Sequence, residues 1–140
     1  MFYKYRVDDR SIDWVILMLK LEILWNKQCA FCCHNAATTS ISQQPLEALT
    51  TEASFKGMFE EIDGYPTREE QKLRPYDPTD VQAEVMVFDI IEPEYIRGIV
   101  FNSKETRDAN AHLLGDAQQT WVHPRDKGLF AARSYARKYT

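Results

Sequence analysis

The chain is short of the residues on which several large enzyme classes depend. Its five glycines are scattered singly, so no Gly-rich loop is present to cradle phosphates, and P-loop, kinase and Rossmann readings lose their usual support. No G-x-S-x-G segment occurs, and Cys33-His34 are only sequence neighbours, which does not place a nucleophile against a base. The three cysteines, Cys29, Cys32 and Cys33, are crowded and odd in number. They make a poor disulfide framework and point to a reducing, cytoplasmic setting. A structural zinc site needs four ligands, commonly as two spaced pairs. His34 stands beside the cysteines, but His112 and His123 are isolated, so no metal is expected. The longest apolar run, Trp14–Leu19, is far too short to span a bilayer and lacks a cleavage site, which argues against membrane association or a signal peptide.

What is present fits a small globular enzyme or binding domain. With 140 residues and 44% hydrophobic content, the chain is sized for a single domain, residues 1–140, with a core of its own. The formal net charge of −4 gives no global nucleic-acid signature. Residues 121–140 nevertheless form a basic C-terminal segment, where Arg125, Lys127, Arg133, Arg137 and Lys138 oppose only Asp126. Such an end suits an anionic partner, or is simply a solvated terminal face.

Periodicity predicts a mixed α+β fold of short elements. Asp13–Leu19 reads as a buried strand, and Lys20–Trp25 as its continuation or one helical turn. Gln28–Ser42 reads as a loop with one short strand around Ala30-Phe31. From Pro45 to Gly64, Leu46, Leu49, Ala53, Phe55, Met58, Phe59 and Ile62 suggest one amphipathic helix. Thr67 and Glu70 have capping-box spacing, which predicts a short polar helix through Leu73. Arg74–Asp80 is irregular. Val81–Phe88 alternates as a strand, Ile96–Phe101 is another with Gly98 as a weak point or close-approach site, and Thr120–His123 is a possible edge strand before Pro124. Asn102 with Glu105 predicts a helix start, Gly115 its stop, and Phe130–Tyr139 fits either strand or helix.

In the Val81–Phe88 strand, Ala83, Val85 and Val87 face one way and Glu84, Met86 and Phe88 the other. A carboxylate among apolar neighbours costs several kcal/mol unless paired or used. Glu84 is therefore either a structural partner of Arg68, Lys72 or Arg74, or a catalytic group.

A resemblance bears on that choice. Val81-Gln82-Ala83-Glu84-Val85-Met86-Val87-Phe88, followed by Ile91-x-Pro93-Glu94-Tyr95-Ile96, is similar to the Q-A-E-V-L-V … I-P-x-E-Y-I signature of the DarT-like DNA ADP-ribosyltransferase toxins. Cys29–Thr38 resembles the C-x-F-x-x-x-N-A-A segment of the same family. The resemblance implies an ADP-ribosyltransferase fold of small mixed and antiparallel sheets with short helices around an NAD cleft. It makes Glu84 the catalytic residue and Arg68–Val81 the DNA-recognising loop. Arg68, Lys72 and Arg74 would then bind phosphate, and Tyr76 would stack on a base. NAD is the implied co-substrate and single-stranded DNA the acceptor, through guanine or thymine, with an antitoxin protein as a further partner. The chain also departs from the family pattern. It lacks a Y-H-x-T-H-I segment, and Met1-Phe2-Tyr3 resembles the end of the family's R-S-P-M-L-Y segment. This implies a partial fold with most NAD-binding residues upstream of Met1, and a chain inactive alone or dependent on another polypeptide. A non-catalytic remnant that binds nucleic acid or antitoxin is the alternative, and an unrelated α+β interaction domain is a third reading.

Overall fold

The computed structural model describes residues 13–115, 119–124 and 128–130. The basic residues Arg125, Lys127, Arg133, Arg137 and Lys138, the opening Met1-Phe2-Tyr3, and most of Phe130–Tyr139 lie outside the described residues. The chain divides into two compact units, one formed by Met1–Leu21 with Glu92–Thr140 and the other by Glu22–Ile91.

The first unit is built on a three-stranded mixed sheet. β1 (Val15–Leu19) pairs antiparallel with β4 (Ile96–Phe101), and β4 runs parallel to β5 (Gln119–Val122). The central strand β4 carries the apolar centre of this unit, with Val100 and Phe101 buried. Gly98 is needed there for space. A Cβ built on it would lie 2.4 Å from Trp121 Cζ3 and 2.5 Å from the Gln119 carbonyl oxygen. The indole of β5 therefore lies directly on the β4 backbone, and a backbone atom has no freedom to withdraw. Gly98→Ala is expected to destabilise the protein by about 1–3 kcal/mol through overpacking. Urea denaturation checks this, and an unchanged midpoint would remove the close-approach argument.

β4 leads into helix α5 (Lys104–Ala109). Its cap is Ser103, whose hydroxyl accepts from the Thr106 backbone N–H at 3.0 Å. The expected cap, Asn102, is one residue early. It is buried at the strand end with its amide 3.5 Å from Asp13, and Ser103 takes the extended cap conformation. The helix ends at Ala109, before Gly115, and a short 3-10 turn follows at Ala111–Leu113.

The second unit holds β2 (Cys29–Cys32) and β3 (Glu84–Val87), paired antiparallel with Cys32 opposite Glu84 and Cys29 opposite Val87. Four short helices belong to it: α1 (Ile23–Asn26), α2 (Thr39–Ser42), α3 (Leu46–Leu49) and α4 (Glu52–Gly57). Alternation on β3 is as the sequence predicts. Ala83, Val85 and Val87 pack on the cluster of Cys29, Phe31 and Met58, joined by Leu24, Phe55 and Phe59. Phe31 meets Phe55 edge-on at 5.1 Å, and Phe55 meets Phe59 at 5.4 Å. Each such pair adds about 0.5–1.5 kcal/mol beyond its buried area.

The single helix expected from Pro45 to Gly64 is two. Thr51 breaks it by capping α4 itself. Its hydroxyl accepts from Ser54 N at 3.0 Å, and the Ser54 hydroxyl accepts from Thr51 N at 3.1 Å. Ser54 Oγ also donates to the Leu49 carbonyl at 2.8 Å, which satisfies the end of α3. Side-chain hydroxyls here offer the backbone better partners than a continuous helix would. Gly64 adopts a left-handed φ of 80° in a turn well after α4 has ended.

Thr67 and Glu70 make their capping bonds without a helix. Thr67 N donates to Glu70 Oε2 at 2.7 Å, and Glu70 N donates to Thr67 Oγ1 at 3.1 Å. The backbone bond from Thr67 holds the Glu70 carboxyl below the usual carboxylate range. The predicted helix through Leu73 is replaced by turns, because Lys72 enters the left-handed region at φ 55° and ends any helical run.

Candidate active site

Glu84 opens β3, and its carboxylate is held by the turn that follows β2. Asn35 Nδ2 donates to Oε1 at 3.2 Å, and the Ala36 backbone N–H donates to Oε2 at 3.2 Å. The turn has hydrogen bonds of its own. Asn35 Oδ1 accepts from Ala37 N at 2.9 Å, and the Asn35 carbonyl accepts from Thr38 N at 3.0 Å and Thr38 Oγ1 at 2.8 Å. Asn35 therefore uses both ends of its amide, one to shape the turn and one to hold Glu84.

Both donors to Glu84 are neutral. Arg68, Lys72 and Arg74, the structural partners weighed from the sequence, form no ion pair with it; Arg74 pairs with Asp77 instead. A carboxylate offers about four acceptor sites, and the two donors among the described residues fill about half of them. The arrangement is a partly buried, oriented carboxylate whose charge no cation among the described residues cancels. That is the setting in which a carboxylate can meet positive charge developing on a substrate.

Beneath it lies Cys32, fully buried opposite Glu84 in the ladder. Burial pushes the Cys32 thiol up, and the charges of Glu84 and Cys33 push it further. Burial alone raises Cys29. Both are therefore poor nucleophiles at neutral pH. Three residues apart on a strand, Cys29 and Cys32 point to opposite faces, so C-x-x-C here cannot close on one ion. Among the described residues no group of three His, Cys, Asp or Glu gathers to hold a metal.

The loop between α4 and β3 is laced by Arg68. Its guanidinium donates to the Asp77 carbonyl at 2.8 Å, to Thr79 Oγ1 at 2.8 Å and to the Arg74 carbonyl at 2.9 Å. Buried Thr79 passes the tie on, donating through Oγ1 to the Glu60 carbonyl at 2.6 Å and through N to the Met58 carbonyl at 2.8 Å. Arg68 thus spends its donors inside the loop. Arg74 and Tyr76 are brought together on its outside, with the guanidinium 4.8 Å from the ring centroid and Tyr76 67% exposed. Arg74 also bonds Asp77 Oδ2 through N at 2.9 Å and Nε at 3.1 Å. Lys72 is exposed.

Two contributors carry no signal in local spacing. Asn35 lies in the N-A-A segment, but its role at Glu84 depends on a contact across 49 residues. His34 Nδ1 lies 2.7 Å from Asp80 Oδ2, a pair formed across 46 residues. Only knowledge that β2 pairs with β3 would bring either into view.

A family model described as ssDNA thymidine ADP-ribosyltransferase, DarT, matches residues 1–127. No curated protein matches the chain. No helix among the described residues is long and apolar enough to cross a membrane.

Proposed function

The chain belongs to the DarT family of ssDNA thymidine ADP-ribosyltransferases, and from that premise we propose that it transfers ADP-ribose from NAD to thymidine in single-stranded DNA with Glu84 as the catalytic carboxylate. Family membership implies an ADP-ribosyltransferase-like fold and toxin activity, and it favours thymidine over guanine as the acceptor. NAD supplies the ADP-ribosyl group, with nicotinamide as the leaving group. The bond broken is glycosidic, so the reaction is glycosyl transfer rather than nucleotidyl transfer.

The observation that carries this reading is the setting of Glu84, fixed by Asn35 and Ala36 with no counter-cation among the described residues. Its open acceptor sites suit the ribose hydroxyls. Its charge opposes the positive character that builds on the sugar as the bond to nicotinamide lengthens, as in other glycosidic cleavages. The same carboxylate is placed to help take the proton from the acceptor. An antitoxin protein is the further partner this function calls for.

Arg68–Val81 is the DNA-facing loop on this reading. Arg74 covers one face of Tyr76 and supports the ring for a base on the other, while Lys72 and Arg74 supply charge for phosphate and Arg68 holds the loop in shape. Replacing Arg74 and Tyr76 together by Ala is expected to weaken single-stranded DNA binding roughly ten- to a hundred-fold, since a stacked base contributes about 1–3 kcal/mol. Fluorescence anisotropy with a labelled oligonucleotide measures this, and an unchanged affinity would remove the loop from DNA recognition. The activity itself is tested with the full reading frame, NAD and oligonucleotides containing thymidine or guanosine alone. A mass increase of one ADP-ribose on thymidine is expected. Absence of any adduct would refute the proposal.

A further inference from the structure

The β2–β3 ladder stops at the Cys32–Glu84 pair, and what holds the two segments beyond it decides where the Glu84 carboxylate sits. On one side runs His34-Asn35-Ala36, which supplies both hydrogen bonds to Glu84. On the other runs Asp80-Val81-Gln82-Ala83, which aims the strand. Asp80 is the pivot of this second segment. Its Oδ1 accepts from Gln82 N at 2.8 Å and its carbonyl from Ala83 N at 3.1 Å. Its second carboxylate oxygen, Oδ2, meets His34 Nδ1 at 2.7 Å, with the two side chains 9% and 24% exposed. One short, largely shielded bond therefore ties the residue that turns the chain into β3 to the segment that grips Glu84.

We infer that His34, acting through Asp80, is a positioning residue for Glu84. It rests on the reading of Glu84 as the catalytic carboxylate. The physical reason is geometric. Asn35 and Ala36 can hold Glu84 in a productive place only while their segment keeps its distance from the start of β3. A bond from Nδ1 to a buried carboxylate is charge-assisted or strongly polarised, and it fixes the ring as well as the backbone on either side. The His34 ring is also backed by Tyr65, with centroids 5.9 Å apart, so it cannot turn freely away from Asp80. Displacement of a catalytic group by about 1 Å can cost on the order of 10²-fold in rate. A loss of this bond should therefore be felt in turnover and not in substrate binding.

The test is steady-state kinetics of thymidine modification with the full reading frame, on variants verified as folded by circular dichroism. His34→Ala is expected to lower kcat by roughly 10- to 100-fold while KM for NAD and for the oligonucleotide stays within about twofold. His34→Asn, whose Nδ2 reaches the place of Nδ1, should recover most of that loss. Combining His34→Ala with Asp80→Ala should be no worse than the poorer single variant, because both remove the same tie. If His34→Ala does not fold, Asp80→Asn carries the same expectation of reduced kcat at constant KM. Wild-type kcat in these variants, a change confined to KM, or His34→Asn as slow as His34→Ala would each overturn the inference. An inactive wild-type protein would instead overturn the reading of the site itself, and this inference with it.

Discussion

Glu84→Gln is expected to lower thymidine ADP-ribosylation by on the order of 10³-fold, about 4 kcal/mol of barrier, in a protein that still folds. The substitution keeps the shape of the side chain and removes its charge. Glu84 has two donors pointed at it, Asn35 Nδ2 and Ala36 N. An amide has one oxygen, so one donor would face an NH2 group. The expected cost in stability is about 1 kcal/mol, far less than the expected cost in rate. The comparison separates a catalytic carboxylate from a structural one. A structural carboxylate would show a shift in unfolding midpoint and little change in kcat once folded protein is assayed. Rate by mass spectrometry of the oligonucleotide and stability by urea denaturation, measured on the same preparation, decide it. Equal modification by wild type and Glu84→Gln would take Glu84 out of the mechanism.

Arg68→Ala should give the largest loss of stability among the loop residues, roughly 2–4 kcal/mol. Three acceptors lose a charged donor at once, and bonds to charged groups contribute about 1.5–3 kcal/mol each, with partial replacement by water. The Asp77 and Arg74 carbonyls lose their guanidinium donor, and the Thr79 hydroxyl loses it too while keeping its bond to the Glu60 carbonyl. The loop should loosen more than the rest of the unit. Limited proteolysis with an acidic-site protease should then cut near Glu69 or Glu70 faster than in wild type, alongside a lower urea midpoint. Arg68→Lys should not rescue, since a point charge cannot span three oxygens in a fork. An unchanged midpoint for Arg68→Ala would show that the lacing is incidental.

How much of this was legible beforehand varies with the distance over which each feature is decided. The division of β3 into two faces follows from alternation, and a missing side chain marks Gly98 as a weak point or a close approach. Both are visible in a few consecutive residues, whereas which face turns inward is set by the packing of Phe31 and Met58. The break between α3 and α4 was missed because the apolar stripe from Leu46 to Ile62 is compatible with one helix. The deciding factor was the competition of Thr51 and Ser54 hydroxyls for backbone groups. The turn at Lys72 was missed for a similar reason, since a capping box announces a helix start and says nothing of a left-handed residue soon after. The sequence offers Arg68 to Glu84 or to phosphate, because nothing local shows its fork closing on carbonyls six to nine residues away. The partners of Glu84 lie beyond any local rule. Asn35 and His34 act across 49 and 46 residues, and the pairing of β2 with β3 is what brings them there.

That pairing has a consequence for how the chain can vary. Cys32 and Glu84 are ladder neighbours, so everything between them is a closed excursion whose ends are already joined. The entropic cost of such a closure grows only with the logarithm of its length, and doubling it adds about 0.6 kcal/mol. Exposed residues can therefore be added in this excursion at little expense where they interrupt neither the holders His34, Asn35 and Ala36, the Phe55, Met58 and Phe59 packing nor the ties of Arg68, Thr79 and Asp80. The carboxylate and its holders would keep their register throughout. The loop assigned to choosing the substrate keeps the length that the Arg68 ties set, and the part assigned to the chemistry stays where the two strands pin it.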